Sequence, residues 1–120
     1  MEDILITLLK TFGYDVFRQG SLAKDESYPN TFITFWNNQE KEHSAYDDNT
    51  SIIEYDFDVN VYSTNPSEAY NLLKEIKVLL KSNNWIIKEI GYDLMSDEIT
   101  HIGRGMNVCI LEQLQIERSN

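Results

Sequence analysis

The chain holds one cysteine, Cys109, which excludes an internal disulfide and any metal site built on cysteine clusters. A lone thiol suits a reducing cytoplasm. No apolar run approaches the roughly 20 residues that a membrane helix needs. The start, Met1-Glu2-Asp3, is acidic where a secretory signal would be basic, so no export is expected. Basic residues are scarce, 10 Lys and Arg against 20 Asp and Glu, for a formal charge of −10. Ordinary nucleic-acid binding needs basic patches that displace counterions, and this balance argues against it. Internal repeats and domain linkers are also lacking. What is present is 42% hydrophobic and 12% aromatic content over 120 residues, enough for one domain (1–120) with a single core.

The periodicities predict the elements. Ile4, Leu5, Leu8, Leu9 and Phe12 repeat as one helical face over residues 2 to 12, and Gly13 is a plausible stop. Asp15 to Arg18 reads as a short strand and residues 19 to 30 as a loop, with Pro29 placed just ahead of a strand. Thr31 to Trp36 is β-branched or aromatic at nearly every position and predicts a strand. Asn37 to Thr50 has no Leu, Ile, Val, Phe, Met or Trp, so a mobile polar loop is expected over 37–50. From Ile52 to Tyr62 the alternation is strict. Ile53, Tyr55, Phe57, Val59 and Val61 share one face, and Glu54, Asp56, Asp58 and Asn60 the other, as in a sheet with one face in the core. Asn65 can cap a following helix, with Pro66 in its first turn and Glu68 in a capping-box-like position. Its buried stripe is Ala69, Leu72, Leu73, Ile76, Leu79 and Leu80, to about Ser82. Asn83-Asn84 ends it. Trp85 to Ile90 and Met106 to Ile116 read as the last two strands. The order α-β-β-β-α-β-β predicts an α+β fold: one mainly antiparallel sheet of about four to five strands with two helices packed on one face.

Three sets of residues are candidate sites. Glu54, Asp56 and Asp58 form an acidic row, spaced about 6.8 Å apart on the strand, where each pair repels by only about 0.6 kcal/mol in water. It is either a solvated sheet face or a negative surface that lines a channel or meets a basic partner. Lys74, Lys77 and Lys81 share one outward helix face and could complement that row from subunit to subunit in a head-to-tail ring. The segment Gly91 to Leu111 gathers Asp93, Asp97, Glu98, Thr100, His101 and Arg104 in one polar loop before a core strand. Arg104 is expected to pair with Asp97 or Glu98, and Gly103 and Gly105 to let the chain turn sharply. The spacing of Asp93, Asp97, Glu98 and His101 matches no recognised calcium or zinc motif, and no nucleophile is placed beside His101. Neither a catalytic residue, a metal nor a cofactor is expected. Cys109 is expected as a buried structural thiol. His43 shows no partner, and Trp36 and Trp85 are expected in the core.

Three stretches carry a family resemblance: Tyr28-Pro29-Asn30-Thr31-Phe32-Ile33-Thr34-Phe35-Trp36-Asn37, Tyr55-Asp56-Phe57-Asp58-Val59-Asn60-Val61-Tyr62-Ser63, and Gly103-Arg104-Gly105. Over roughly residues 28 to 112 the chain resembles the small tail-terminator or tail-completion (head-tail joining) proteins of long-tailed bacteriophages and prophages. The resemblance implies a hexameric ring on the last ring of the tail tube. That ring ends tube growth and offers a docking surface to the head connector. It also implies a structural role without catalysis, a chain monomeric until it meets the tail, and DNA that passes without specific binding. The places implied are the host cytoplasm during assembly and then the head-tail interface of the virion. The loop 37–50 would order on assembly.

A neighbouring head-completion adaptor fits the same residues. From another class, so does an acidic mimic of DNA that inhibits a nucleic-acid-binding enzyme, although ten basic residues interrupt its acids. A small metal-dependent hydrolase would rest on the loop carboxylates alone.

Overall fold

The computed structural model describes residues 1–19, 28–44, 50–89, 91–96 and 100–115. Helix α1 (Glu2–Lys10) leads into strand β1 (Asp15–Arg18), then β2 (Thr31–Ser44) and β3 (Thr50–Ser63). Helix α2 (Pro66–Ser82) follows, then β4 (Ile86–Ile87), β5 (Tyr92–Leu94) and β6 (Ile102–Gln115). The six strands form one sheet in the order β1-β2-β3-β6-β4, with β5 also paired to β6. Every pairing is antiparallel except β1 with β2. The architecture is the expected α+β sheet with two helices, with β5 as a further short strand.

The alternation in β3 decides the layering. Phe57, Val59 and Val61 are fully buried and pair across β2 and β6 with residues that point the same way, including Ile33, Phe35, Met106 and Val108. On them sit Leu5 and Leu9 of α1, and Ala69, Leu72, Leu73, Ile76 and Leu80 of α2. Trp85 closes the core, its ring edge-on to Phe57 at 5.9 Å.

The start of α2 is tied down differently from the capping box expected of it. Asn65 does cap, accepting from the N–H groups of Ser67 and Glu68. The Asn65 N–H, however, donates to Ser63 Oγ, and Glu68 turns away to the sheet. There its Oε1 accepts from Tyr14 (2.9 Å) and from Thr31 (3.1 Å). Because Thr31 gives its one proton to Glu68, Ser63 is the donor in the 2.9 Å contact between the two hydroxyls. The hydrogen bond that Tyr14 donates to Glu68, followed by burial, raises the Tyr14 pKa above its ordinary value. One carboxylate thus joins α2, β2, β3 and the segment that leaves α1.

Four sequence expectations need correction. Residues 37–44 are strand, not loop: β2 runs on to Ser44 and β3 begins at Thr50, while 45–49 lie outside the described residues. Main-chain pairing holds this half without apolar burial, helped by opposite charges at Lys41↔Glu54. The Trp85–Ile90 strand is reduced to Ile86–Ile87, and Ile90 lies outside the described residues. Ile4 is 52% exposed and Trp36 is 48% exposed, because each points away from the core between the helices and the sheet. Finally, Gly103 and Gly105 lie inside β6 rather than in a turn.

The reason for those two glycines is close approach. A Cβ at Gly103 would stand 2.7 Å from Cε1 of Tyr62, and one at Gly105 would collide with Asn60 Oδ1 and lie 2.8 Å from Leu94. The missing side chain of Gly103 lets the Tyr62 ring lie across β6, and that of Gly105 makes room for Asn60 and Leu94. Gly105→Ala should therefore cost about 1–3 kcal/mol by overpacking. Urea denaturation would read this as a lower midpoint at unchanged slope; an unshifted midpoint would mean that the sheet opens freely here.

Candidate functional site

The helices cover one face of the sheet, so the other face and the exposed arc of α2 are where this chain can meet something else. The three candidate sets fall in different places.

The acidic row lies on the open face as expected, but it is not a bare negative strip. A bulge between Asn37 and Gln39 leaves Asn38 without a cross-strand partner and re-aims its side chain. Its amide donates to Asp56 Oδ1 at 3.0 Å. Asn107 Nδ2, from β6, lies between Asp56 Oδ1 (2.8 Å) and Asp58 Oδ1 (3.0 Å). Lys88 Nζ reaches Asp56 Oδ2 at 3.0 Å. Burial alone would raise the Asp56 pKa; the hydrogen bonds from Asn107, Asn38 and Lys88, with the lysine charge, outweigh it and hold the carboxyl below its ordinary value. The same bond to Asp56 raises the pKa of Lys88. Glu54 has His43 Nε2 at 4.0 Å, so that histidine does have a neighbour.

Beside the row, Tyr92 carries a pKa raised first by burial and then by Asp58, Glu89 and Asp56. Cys109 is buried as expected, and burial raises its thiol pKa, with Lys88 opposing. A protonated, enclosed thiol is a poor nucleophile.

The polar segment 91–105 is split. Tyr92–Leu94 pairs with Gly103–Gly105 as a short hairpin. Arg104 points to the helix side, its Cζ 4.3 Å from the ring centroid of Tyr70, and its Nη1 donates to Asp93 Oδ1 at 2.7 Å. The expected partners Asp97 and Glu98 lie outside the described residues, and the pairing observed is with Asp93 because register sets Arg104 directly opposite it. Arg104 is only 16% exposed and Asp93 87% exposed, so the ring stacking holds the guanidinium more firmly than the ion pair does.

His101 lies elsewhere, buried against Tyr28 and Phe32. Its Nε2 donates to the Pro29 carbonyl at 2.7 Å, which in the neutral ring leaves Nδ1 to accept from Thr100 at 3.0 Å. It clamps the entrance of β2 to that of β6. Asp93 and His101 therefore do not converge, and among the described residues no three His, Cys, Asp or Glu side chains gather as a metal site.

Lys74, Lys77 and Lys81 share one side of α2. Lys74 Nζ stands 5.9 Å from the centroid of Tyr70. With Tyr70, Leu73 and Arg104, Lys74 and Lys77 line a depression of about 90 Å³. Sequence reasoning missed Tyr70, Asn107, Lys88 and Asn38. The signal for Asn107 was present: Gly103, Gly105, Asn107 and Cys109 alternate as small or polar residues along β6.

The Asp56 cluster has a defined pH signature. Because its folded pKa is depressed, its contribution is complete above the unfolded value, about 3.9, and is lost as pH falls through the folded value. Asp56→Asn should cost about 1–3 kcal/mol at neutral pH, and the gap to wild type should close in acid below about pH 4. Thermal melts from about pH 2 to 7 check this; a gap independent of pH would contradict it.

No family model matches the chain, and no curated protein matches it. Among solved structures, the fold is similar to that of the PVC sheath/tube terminator of an extracellular contractile injection system in its extended state, determined by cryo-EM. The TM-score is 0.52 at 8% identity, over 99% of this chain and 59% of that one. The chain thus spans little more than half the length of that protein, and at this identity the likeness is one of fold.

Proposed function

We infer that the chain is a structural tail terminator: it closes the end of a phage-type tail tube as a ring and offers a docking surface toward the head connector. The observation that carries this reading is the likeness of fold, along nearly the whole chain, to a sheath/tube terminator. The three sequence stretches that resemble phage tail-completion proteins support it independently. Two of them supply the first half of β2 and the second half of β3, which pair with each other, and the third is the Gly103-Arg104-Gly105 segment that admits Tyr62 and Asn60.

The role is binding and geometry without catalysis. The described side chains serve it through packing: the Cys109 thiol is enclosed, His101 is a clamp, and the carboxylates of Asp56 and Asp58 are bound to amides. The same internal bonding weakens the reading as a DNA mimic, which needs its carboxylates free for a basic partner. The connection between β5 and β6 is the docking element. It follows the Asp93–Arg104 pair and carries Met95 at 96% exposure. A large apolar side chain displayed in full to water is a candidate anchor for a partner pocket.

The test is electron microscopy of the purified protein mixed with its cognate tail tubes. Rings at tube ends are expected. Met95→Asp should leave the melting temperature unchanged and lower tube-end occupancy about tenfold, the loss of one good anchor. Bare tube ends with wild-type protein would reject the terminator role in favour of a head-completion adaptor or an inhibitor.

A further inference from the structure

The two sides of α2 carry opposite charge and face opposite edges of the sheet. On one side, Tyr70, Lys74, Lys77 and Lys81 recur at i, i+4, i+7 and i+11, a single stripe along the helix. Arg104 of β6 extends it, stacked on Tyr70. Val78, at 68% exposure, borders the stripe and adds an apolar contact. This side faces the β6, β4 and β5 edge.

The other side faces α1 and the β1 edge. There Tyr14, Glu68, Asn71, Leu72 and Glu75 line a groove of about 350 Å³ whose charged side chains are all acidic. The Glu68 position is fixed by its bonds to Tyr14 and Thr31. Tyr14 and Leu72 give the groove apolar surface that would receive the methylene stem of a lysine, while the carboxylates receive its ammonium.

We propose that the lysine stripe of α2 in one copy of this chain docks into the Tyr14–Glu68–Glu75 groove of a second copy. A contact between two different patches at opposite edges is heterologous: each copy keeps one free stripe and one free groove, so the assembly grows head-to-tail until it closes as a ring. The lysine stripe fits this groove better than it fits the acidic row on the open face, whose Asp56 already holds Lys88. The proposal deepens the terminator reading and rests on it for the closure of the ring; the contact itself does not need the tube.

The experiment is carbodiimide coupling, which joins a lysine amine to a carboxylate in contact. It is run on an equimolar mixture of isotope-labelled and unlabelled full-length protein at high concentration and near-physiological salt. Mixed-label peptides that join Lys74, Lys77 or Lys81 to Glu75 or Glu68 are expected, and salt at about 1 M should suppress them. Glu75→Lys should lower their yield about tenfold, as like charges across an interface do. A chain that combines Glu75→Lys with Lys74→Glu and Lys77→Glu should recover links, now with the amine at position 75 of one copy and the carboxylate at position 74 or 77 of another. Mixed-label links only between other surfaces, or none, would overturn the contact. So would capping of tube ends by Glu75→Lys as efficiently as by wild type, and in that case the terminator reading would stand without this contact. Bare tube ends with wild-type protein that nonetheless forms the expected links would retain the contact and reject the terminator.

Discussion

Everything in this molecule depends on β3 being paired along its whole length on both sides. Its fourteen residues run against β2 and against β6, a ladder of about 46 Å if fully extended. With both edges occupied, the two faces of β3 are the remaining variables, and between Ile53 and Val61 the alternation assigns them: apolar residues to the helices, polar ones to the open side, where only the end at Tyr62 is aromatic and stacks on Phe32. A shift of register by one residue would send Phe57 and Val59 into water and Asp56 and Asp58 into the core. The bulge at Asn38 and the close approaches at Gly103 and Gly105 pin that register from the two neighbouring strands.

The helices are attached to this sheet by more than their apolar stripes. Hydrophobic packing has no direction and would tolerate some sliding of α2 over Val59 and Val61. The Glu68 junction removes that freedom, because Tyr14, Thr31 and Ser63 must all find their partners at once. It also fixes which way the rest of α2 faces. With Glu68 turned to the β1 edge, the helical repeat places Lys74, Lys77 and Lys81 toward the β6 edge, where Arg104 lies on Tyr70. The charge asymmetry of the molecule is thus a consequence of one half-buried polar anchor.

Much of this was legible in the sequence, for identifiable reasons. The β3 alternation, the α2 stripe and the Asn65 cap are local patterns, read within a few residues of one another. The second half of β2 was not, since residues such as Glu40, Lys41 and Glu42 lack β propensity and are held by pairing to another strand. The same is true of Gly103 and Gly105. Their signature suggests a turn, whereas the cause is a pair of side chains on β3, far away in the chain. Candidate site residues were found by charge, but charge does not reveal bonding. Asp56 was visible as an acid and invisible as the acceptor of three donors, because Asn38, Lys88 and Asn107 come from three separate segments.

A formal charge of −10 opposes any joining of two copies of this chain. At 28 Å, the second dimension of the molecule, two such charges repel by about 15 kcal/mol in salt-free water. At physiological ionic strength the Debye length is about 8 Å, which reduces that repulsion to about half a kcal/mol. Pairs in contact at about 4 Å lose far less to screening, and the apolar stems of the lysines bury surface that salt does not weaken. Local complementarity therefore outweighs net charge once salt is present. Very low salt restores the long-range repulsion, and very high salt cancels the contacts. In the proposed contact, an acidic chain with one cationic side would thus remain apart at a distance and meet a second copy on contact.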